Sequence, residues 1–132
     1  MAPKMIKYPT RKEIIELNRQ VTSKYGDVHS LLSEANLEYI IEMIKIKFEN
    51  RTRESIIDKS ALLMSTIAKT HPFIDGNKRT AYLCGMDFLK DNGFSIRAVA
   101  PEIATGFMMD VASEKVGPKG IRKFIIERVI NL

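Results

Sequence analysis

Residues 71–80 read HPFIDGNKRT, and within this short run stand His71, Asp75, Asn77, Lys78 and Arg79. An imidazole, a carboxylate, an amide and two cations at this density are the groups that phosphoryl or nucleotidyl transfer needs. His71 can take the proton of an attacking hydroxyl, since an imidazole titrates near neutrality. Asp75 suits Mg²⁺, which commonly binds through one carboxylate plus phosphates and keeps several waters. Lys78 and Arg79 offer two full charges to phosphate, and Asn77 adds a side-chain donor.

The backbone of the same stretch supports that chemistry. Pro72 ends any preceding helix and pushes His71 out of the α region into an extended conformation, so His71 is expected at a helix exit. Gly76 permits positive φ or the close approach of a ligand. Helical spacing resumes at KRTAYLCGMDFLKDNG, so the N–H groups of Gly76, Asn77 and Lys78 are expected at the positive end of a new helix, an anion site. The same composition also fits a plain surface turn. There Asp75 is an N-cap, Lys78 and Arg79 are a solvated pair, and a histidine packs against Phe73, itself a core anchor.

Apolar periodicity supplies the elements that must position this loop. Thr10 with Glu13 forms a capping box that opens a helix over about 10–23, with Ile14, Leu17 and Val21 on one face. YGDVHSLLS breaks the period, as a functional flap or a plain connection would. Leu37, Ile40, Ile41, Ile44 and Phe48 mark a second helix running into ENRTR; Ile56, Ile57, Leu63, Met64 and Ile67 mark a third that stops before Pro72. The fourth follows the loop and ends at the αL stop of Gly93, with Ala81, Cys84 and Gly85 small enough for close helix packing. Pro101 and Pro118 open PEIATGFMMDVA and PKGIRKFIIERVI as the last two helices, and FSIRAV is the only plausible strand. The expected fold is all-α, one domain over 1–132, with six helices around a central apolar one.

Length and composition agree with one domain: 132 residues, 45% hydrophobic and 28% charged. A formal charge of +5 fits anionic partners without choosing among them. The basic residues form no tract, and no nucleic-acid-binding pattern stands out, so direct nucleic-acid binding is not expected. The amino terminus lacks the apolar core of a secretory signal, no apolar run is long enough to span a bilayer, and a cytoplasmic address is the simplest expectation. Cys84 is the only cysteine; it excludes an internal disulfide and reads as an inert core thiol. His29, in the flap region, reads as an exposed loop histidine, with contact to substrate the less favoured reading. A zinc site would need more ligands than His29, His71, Asp75 and Cys84 plausibly provide, and the methionines read as core filling.

HPFIDGNKRTA resembles the signature of the Fic/Doc family, H-x-F-x-D/E-A/G-N-x-R, at the helix–loop–helix junction such a motif requires. The nucleotidyl-transferring branch has the form GNGRxxR, whereas this chain has Lys78 in place of the second glycine and Tyr82 in place of the second arginine. Both changes resemble the Doc (death-on-curing) branch. The resemblance implies a toxin of a toxin–antitoxin pair that passes the γ-phosphate of ATP, with Mg²⁺, to a protein hydroxyl such as a threonine of translation elongation factor Tu.

On that pattern His71 is the base, Asp75 the Mg²⁺ ligand, and Gly76, Asn77, Lys78 and Arg79 the nucleotide phosphate contacts. A fellow antitoxin chain would supply inhibition, because the family's self-inhibitory pattern is only half met by Ser30 and Glu34. The glycine-rich, arginine-containing stretch of many Doc-like chains is also replaced here by YGDVHSLLSEANLE. AMP transfer to a protein hydroxyl and a catalytically silent binding domain are the alternative readings.

Overall fold

In the computed structural model, residues 5–48 and 52–130 are described. Six helices account for the architecture: α1 (Arg11–Tyr25), α2 (Glu34–Ile46), α3 (Arg53–Thr70), α4 (Asn77–Asp91), α5 (Pro101–Ala112) and α6 (Pro118–Ile126). The only sheet among the described residues is a minimal antiparallel pair, β1 (Ser95–Ile96) with β2 (Val129–Ile130), in the register Ser95 to Ile130 and Ile96 to Val129. The fold is all-α.

The helix starts follow local chemistry. Thr10 accepts from the Glu13 N–H while the Glu13 carboxylate accepts from the Thr10 N–H, closing the expected capping box. Ser33, the last residue of YGDVHSLLS, caps α2 by accepting from the Asn36 N–H. Thr52 and Ser55 form a second capping box at the head of α3. Pro101 and Pro118 occupy the first turns of α5 and α6.

Three boundaries differ from expectation. Helix α1 runs to Tyr25, two residues further, because Gly26 at φ 72° supplies the αL stop. Helix α2 ends at Ile46, leaving Phe48 outside it at φ 55° and 45% exposed, so Phe48 is not part of the core stripe. Residues 49–51 of ENRTR lie outside the described residues, and Thr52 and Arg53 of that stretch open α3 instead. Helix α6 stops at Ile126, and Val129–Ile130 turn back to pair with FSIRAV, which thereby finds its strand partner.

Helix α3 is the central one. Eleven of its residues are buried, and it packs against α2, α4, α5 and α6. Its closest neighbour is α4, where Gly85 lies so near that an added Cβ would stand 2.2 Å from Met64 Cγ, and the Ser60 hydroxyl donates to the Gly85 carbonyl at 2.9 Å. Lys59, wholly buried on α3, donates through Nζ to the carbonyls of Ile44 and Lys47 at the end of α2, with the Tyr8 ring centroid 5.2 Å away. The α3–α4 pair is the platform on which the 71–80 loop is mounted.

Candidate active site

The loop between α3 and α4 is closed by one side chain. Asn77 accepts from the Phe73 N–H at 3.0 Å and donates to the Phe73 carbonyl at 2.8 Å, while the Phe73 ring is fully buried beneath. Asn77 is itself only 7% exposed with both ends of its amide committed. The side chain expected as a phosphate donor thus clamps the turn through Oδ1 and one of its two N–H groups, while its backbone N–H belongs to the helix start.

The segment between α1 and α2 lies along this loop as an extended flap. The Leu32 N–H donates to the Pro72 carbonyl at 2.8 Å, the Ile74 N–H to the Ser30 carbonyl at 2.9 Å, and Leu31 faces Phe73 in an antiparallel bridge. The Asp75 carboxylate accepts from the Val28 N–H at 3.0 Å, and Asp27 forms an ion pair with Arg79 at 3.6 Å. A backbone ladder thus fixes the flap to the motif. Glu34, at the base of the flap, is engaged by Arg11 at 2.8 Å.

Gly76 is the N-cap of α4 at φ 77°, no side chain caps the helix, and its first turn carries no acid. The plain reading of Asp75 as N-cap is thus overturned, and the positive end of α4 keeps its field for an outside anion. Gly76 has a second reason to be glycine. A Cβ there would meet Thr22 Cγ2 at 3.0 Å and Asn18 Nδ2 at 3.1 Å, so the glycine lets α1 approach the loop closely.

A groove of about 590 Å³ opens at this end of α4. Gly76, Asn77, Lys78 and Arg79 line it together with Val21, Lys24 and Tyr25 of α1. Its far wall is apolar and comes from Pro101, Ala104, Met108 and Met109 of α5. Lys78 is exposed at the groove, and the Arg79 guanidinium stacks 3.7 Å above the Tyr25 ring centroid, which holds its plane beside the helix start. His71 and Asp75 do not line the groove. They stand on the loop that leads into it.

His71 caps α3 in the left-handed conformation, φ 49° and ψ 63°, rather than the extended one expected before proline. The αL geometry also leaves the α region, and it lets the His71 N–H donate to the Ile67 carbonyl at 3.3 Å and so finish the helix. The side chain stays exposed. The histidine that packs on Phe73 is the other one, His29, with ring centroids 6.4 Å apart.

A sequence profile described as the Fic/DOC family matches residues 8–89, well over half of the chain. The chain belongs to the Fic/DOC family. Among curated relatives it is similar to "Protein kinase doc" of Escherichia phage P1, 29% identical over 93 residues that cover 70% of this chain and 73% of that protein. It is also similar to "Toxin Doc" of Mycolicibacterium smegmatis, 44% identical over 41 residues, covering 31% of this chain and 32% of that protein. The family match spans α1 to most of α4 and stops before α5, so the apolar wall of the groove lies beyond it.

As a Fic/DOC protein the chain departs from the nucleotidyl-transferring pattern at two lining positions. Lys78 occupies the groove mouth where a glycine would leave space, and Tyr82, half-buried with its ring edge-on to Phe124 at 6.3 Å, fills the place of the distal arginine. Burial pushes the Tyr82 hydroxyl above its ordinary pKa, so it stays neutral. Cys84, two residues further along α4, is buried, and burial first and the Asp87 and Glu13 charges second push its thiol well up, leaving it unreactive as expected.

Among the described residues no group of three acids, histidines or cysteines could hold a metal ion by itself. Asp75 is half-buried beside the open helix start, and among the described residues only one of its oxygens is taken, by Val28. Such a lone carboxylate fits an ion that draws the rest of its shell from phosphate oxygens and water.

One functional residue escaped the sequence reading. Asn18, fully buried on α1, donates through Nδ2 to the Asp75 carbonyl at 2.8 Å and to Thr80 Oγ1 at 3.1 Å, and its Oδ1 meets His29 Nδ1 at 2.8 Å. The available signal was an amide on the apolar stripe that runs through Ile14 and Val21.

Proposed function

We propose that this chain is a Doc-like toxin that transfers the γ-phosphate of ATP to a hydroxyl of a protein target and is held in check by an antitoxin chain. The observation that carries this reading is Lys78 on the open first turn of α4, at the mouth of the groove. Where the nucleotidyl-transferring pattern keeps a glycine, a lysine fills phosphate space and brings a mobile charge, which favours presenting the terminal phosphate for transfer. The similarity to a protein named as a kinase and to one named as a toxin supports the same choice.

In this reading the phosphates meet the backbone N–H groups of α4, Lys78 and Arg79, and the apolar wall from α5 receives the base. Asp75 would hold Mg²⁺, which when bound neutralises phosphate charge. His71 takes the proton of the target hydroxyl as its oxygen bonds to the γ-phosphorus. The bond from that phosphorus to the β–γ bridging oxygen breaks, ADP leaves, and the proton remains on the imidazole. A threonine of elongation factor Tu is the target suggested by the family resemblance, and the cytoplasm is where the two would meet.

The test is to incubate the protein with purified elongation factor Tu and ATP labelled at the γ or, separately, the α position. Label entering from the γ position only is the expected result. Label from the α position would replace phosphate transfer by AMP transfer. If neither label enters and His71→Ala still arrests growth when expressed, the chain acts by binding alone.

A further inference from the structure

The chain has two histidines, and the proposed reaction uses one. The other, His29, is exposed, yet both its ring face and one ring nitrogen are held. Its face lies on Phe73, midway along the loop between His71 and Asp75. Its Nδ1 meets Oδ1 of Asn18, whose Nδ2 is already committed to the Asp75 carbonyl and Thr80. The amide can therefore only accept from the ring, so Nδ1 carries a proton and, in the neutral ring, Nε2 keeps its lone pair.

Nε2 has no partner among the described residues. A fully buried amide that spends its only acceptor on an exposed imidazole is fixing that imidazole's direction, as the partners of metal-bound histidines do. The flap that carries His29 is laddered to the motif on both sides of it, through Val28 to Asp75 and through Ser30 to Ile74. His29 does not line the nucleotide groove.

We propose that His29 is a binding residue for the protein substrate, accepting through Nε2 a hydrogen bond from an N–H or O–H of the incoming segment, with Asn18 as its positioning residue. The assignment rests on the phosphotransfer reading for the identity of the site. It adds a contact outside the groove that would hold ATP.

His29→Phe keeps a ring to stack on Phe73 and removes both nitrogens. With elongation factor Tu as the probe, we expect its KM for that protein to rise about five- to tenfold, the scale of one lost neutral hydrogen bond, while KM for ATP stays at the wild-type value and the melting temperature falls modestly because Asn18 Oδ1 loses its donor. A rise in both KM values, or a fall in melting temperature with KM for the protein unchanged, overturns the proposal in favour of a flap latch. Asn18→Asp still accepts from Nδ1 but opposes the Asp75 carbonyl, so it should lower kcat and spare the His29 contact.

Long-range ¹H–¹⁵N correlation gives a second arm that needs no activity. The proton is expected on Nδ1 of His29 in the wild type, and the Nε2–H tautomer overturns the proposal whatever the reaction. Failure of transfer from either label, with Nδ1 protonated, instead overturns the phosphotransfer reading and removes the substrate that His29 would contact.

Discussion

His71 sits in a conformation that glycine adopts freely and histidine does not, at φ 49°. A side chain in the αL region costs about 1–2 kcal/mol relative to the right-handed form, and such strain persists where the surroundings impose it. If the imidazole is kept there for its chemistry, stability and activity must part company. His71→Ala and His71→Gly should each lower transfer by about 10²–10⁴-fold, the usual contribution of a general base, while the glycine variant unfolds in urea with roughly 1 kcal/mol more stability than the alanine variant. Equal stabilities would mean that the loop relaxes out of αL once the imidazole is gone.

The same loop shows what a linear reading can reach. The placement of His71 at a helix exit and of Gly76, Lys78 and Arg79 at a helix start was legible because it follows from a proline, a glycine and a resumed helical period within a few residues. The Asn77 clamp was not legible because its partner, the Phe73 backbone, is set by how the turn closes. Asn18 could not be read as part of the site, because its contacts lie 57 and 62 residues away and nothing local distinguishes it from a buried capping amide.

Helix ends repeat this division between local and distant causes. Thr10, Pro101 and Pro118 announce their helices from their own neighbours. The end of α2 is finished by Lys59 from α3, whose ammonium serves the carbonyls of Ile44 and Lys47 and lies 3.4 Å from that of Lys45. No periodicity predicts that a lysine on a buried stripe will cap another helix. A cation at a helix C-terminus with its protons shared among carbonyls is stabilising, and removing it strands acceptors in the core. Lys59→Met should therefore cost about 2–3 kcal/mol in chemical denaturation. Hydrogen exchange should rise most in the last turn of α2, while the capping box at its neighbour α3, built by Thr52 and Ser55, stays protected. Uniform loss of protection across all helices would assign Lys59 to general packing instead of to the cap.

Folded as one unit, the molecule carries a built-in reporter of its own opening. Cys84 is the single thiol, 2% exposed on α4, and its burial both shields the sulfur and raises its pKa. Both effects suppress the thiolate that a disulfide reagent requires, so labelling of the native protein must pass through an opened state. With a reagent fast enough only for the opened form, the labelling rate divided by that of the unfolded chain measures the free energy of opening. We expect this value to match the urea-derived stability, because α4 lies between α1, α3 and α5 and cannot expose Cys84 without parting from the core. A ligand that binds only the native state adds RT ln(1 + [L]/Kd), so if the chain binds ATP as proposed, ATP at about a hundredfold over its Kd should slow labelling about a hundredfold. Slowing by ATP would join the α4 start, where the groove opens, to the core around Cys84 in one cooperative unit. Labelling that ignores bound ATP would instead mean that the centre of α4 opens while its first turn holds the nucleotide.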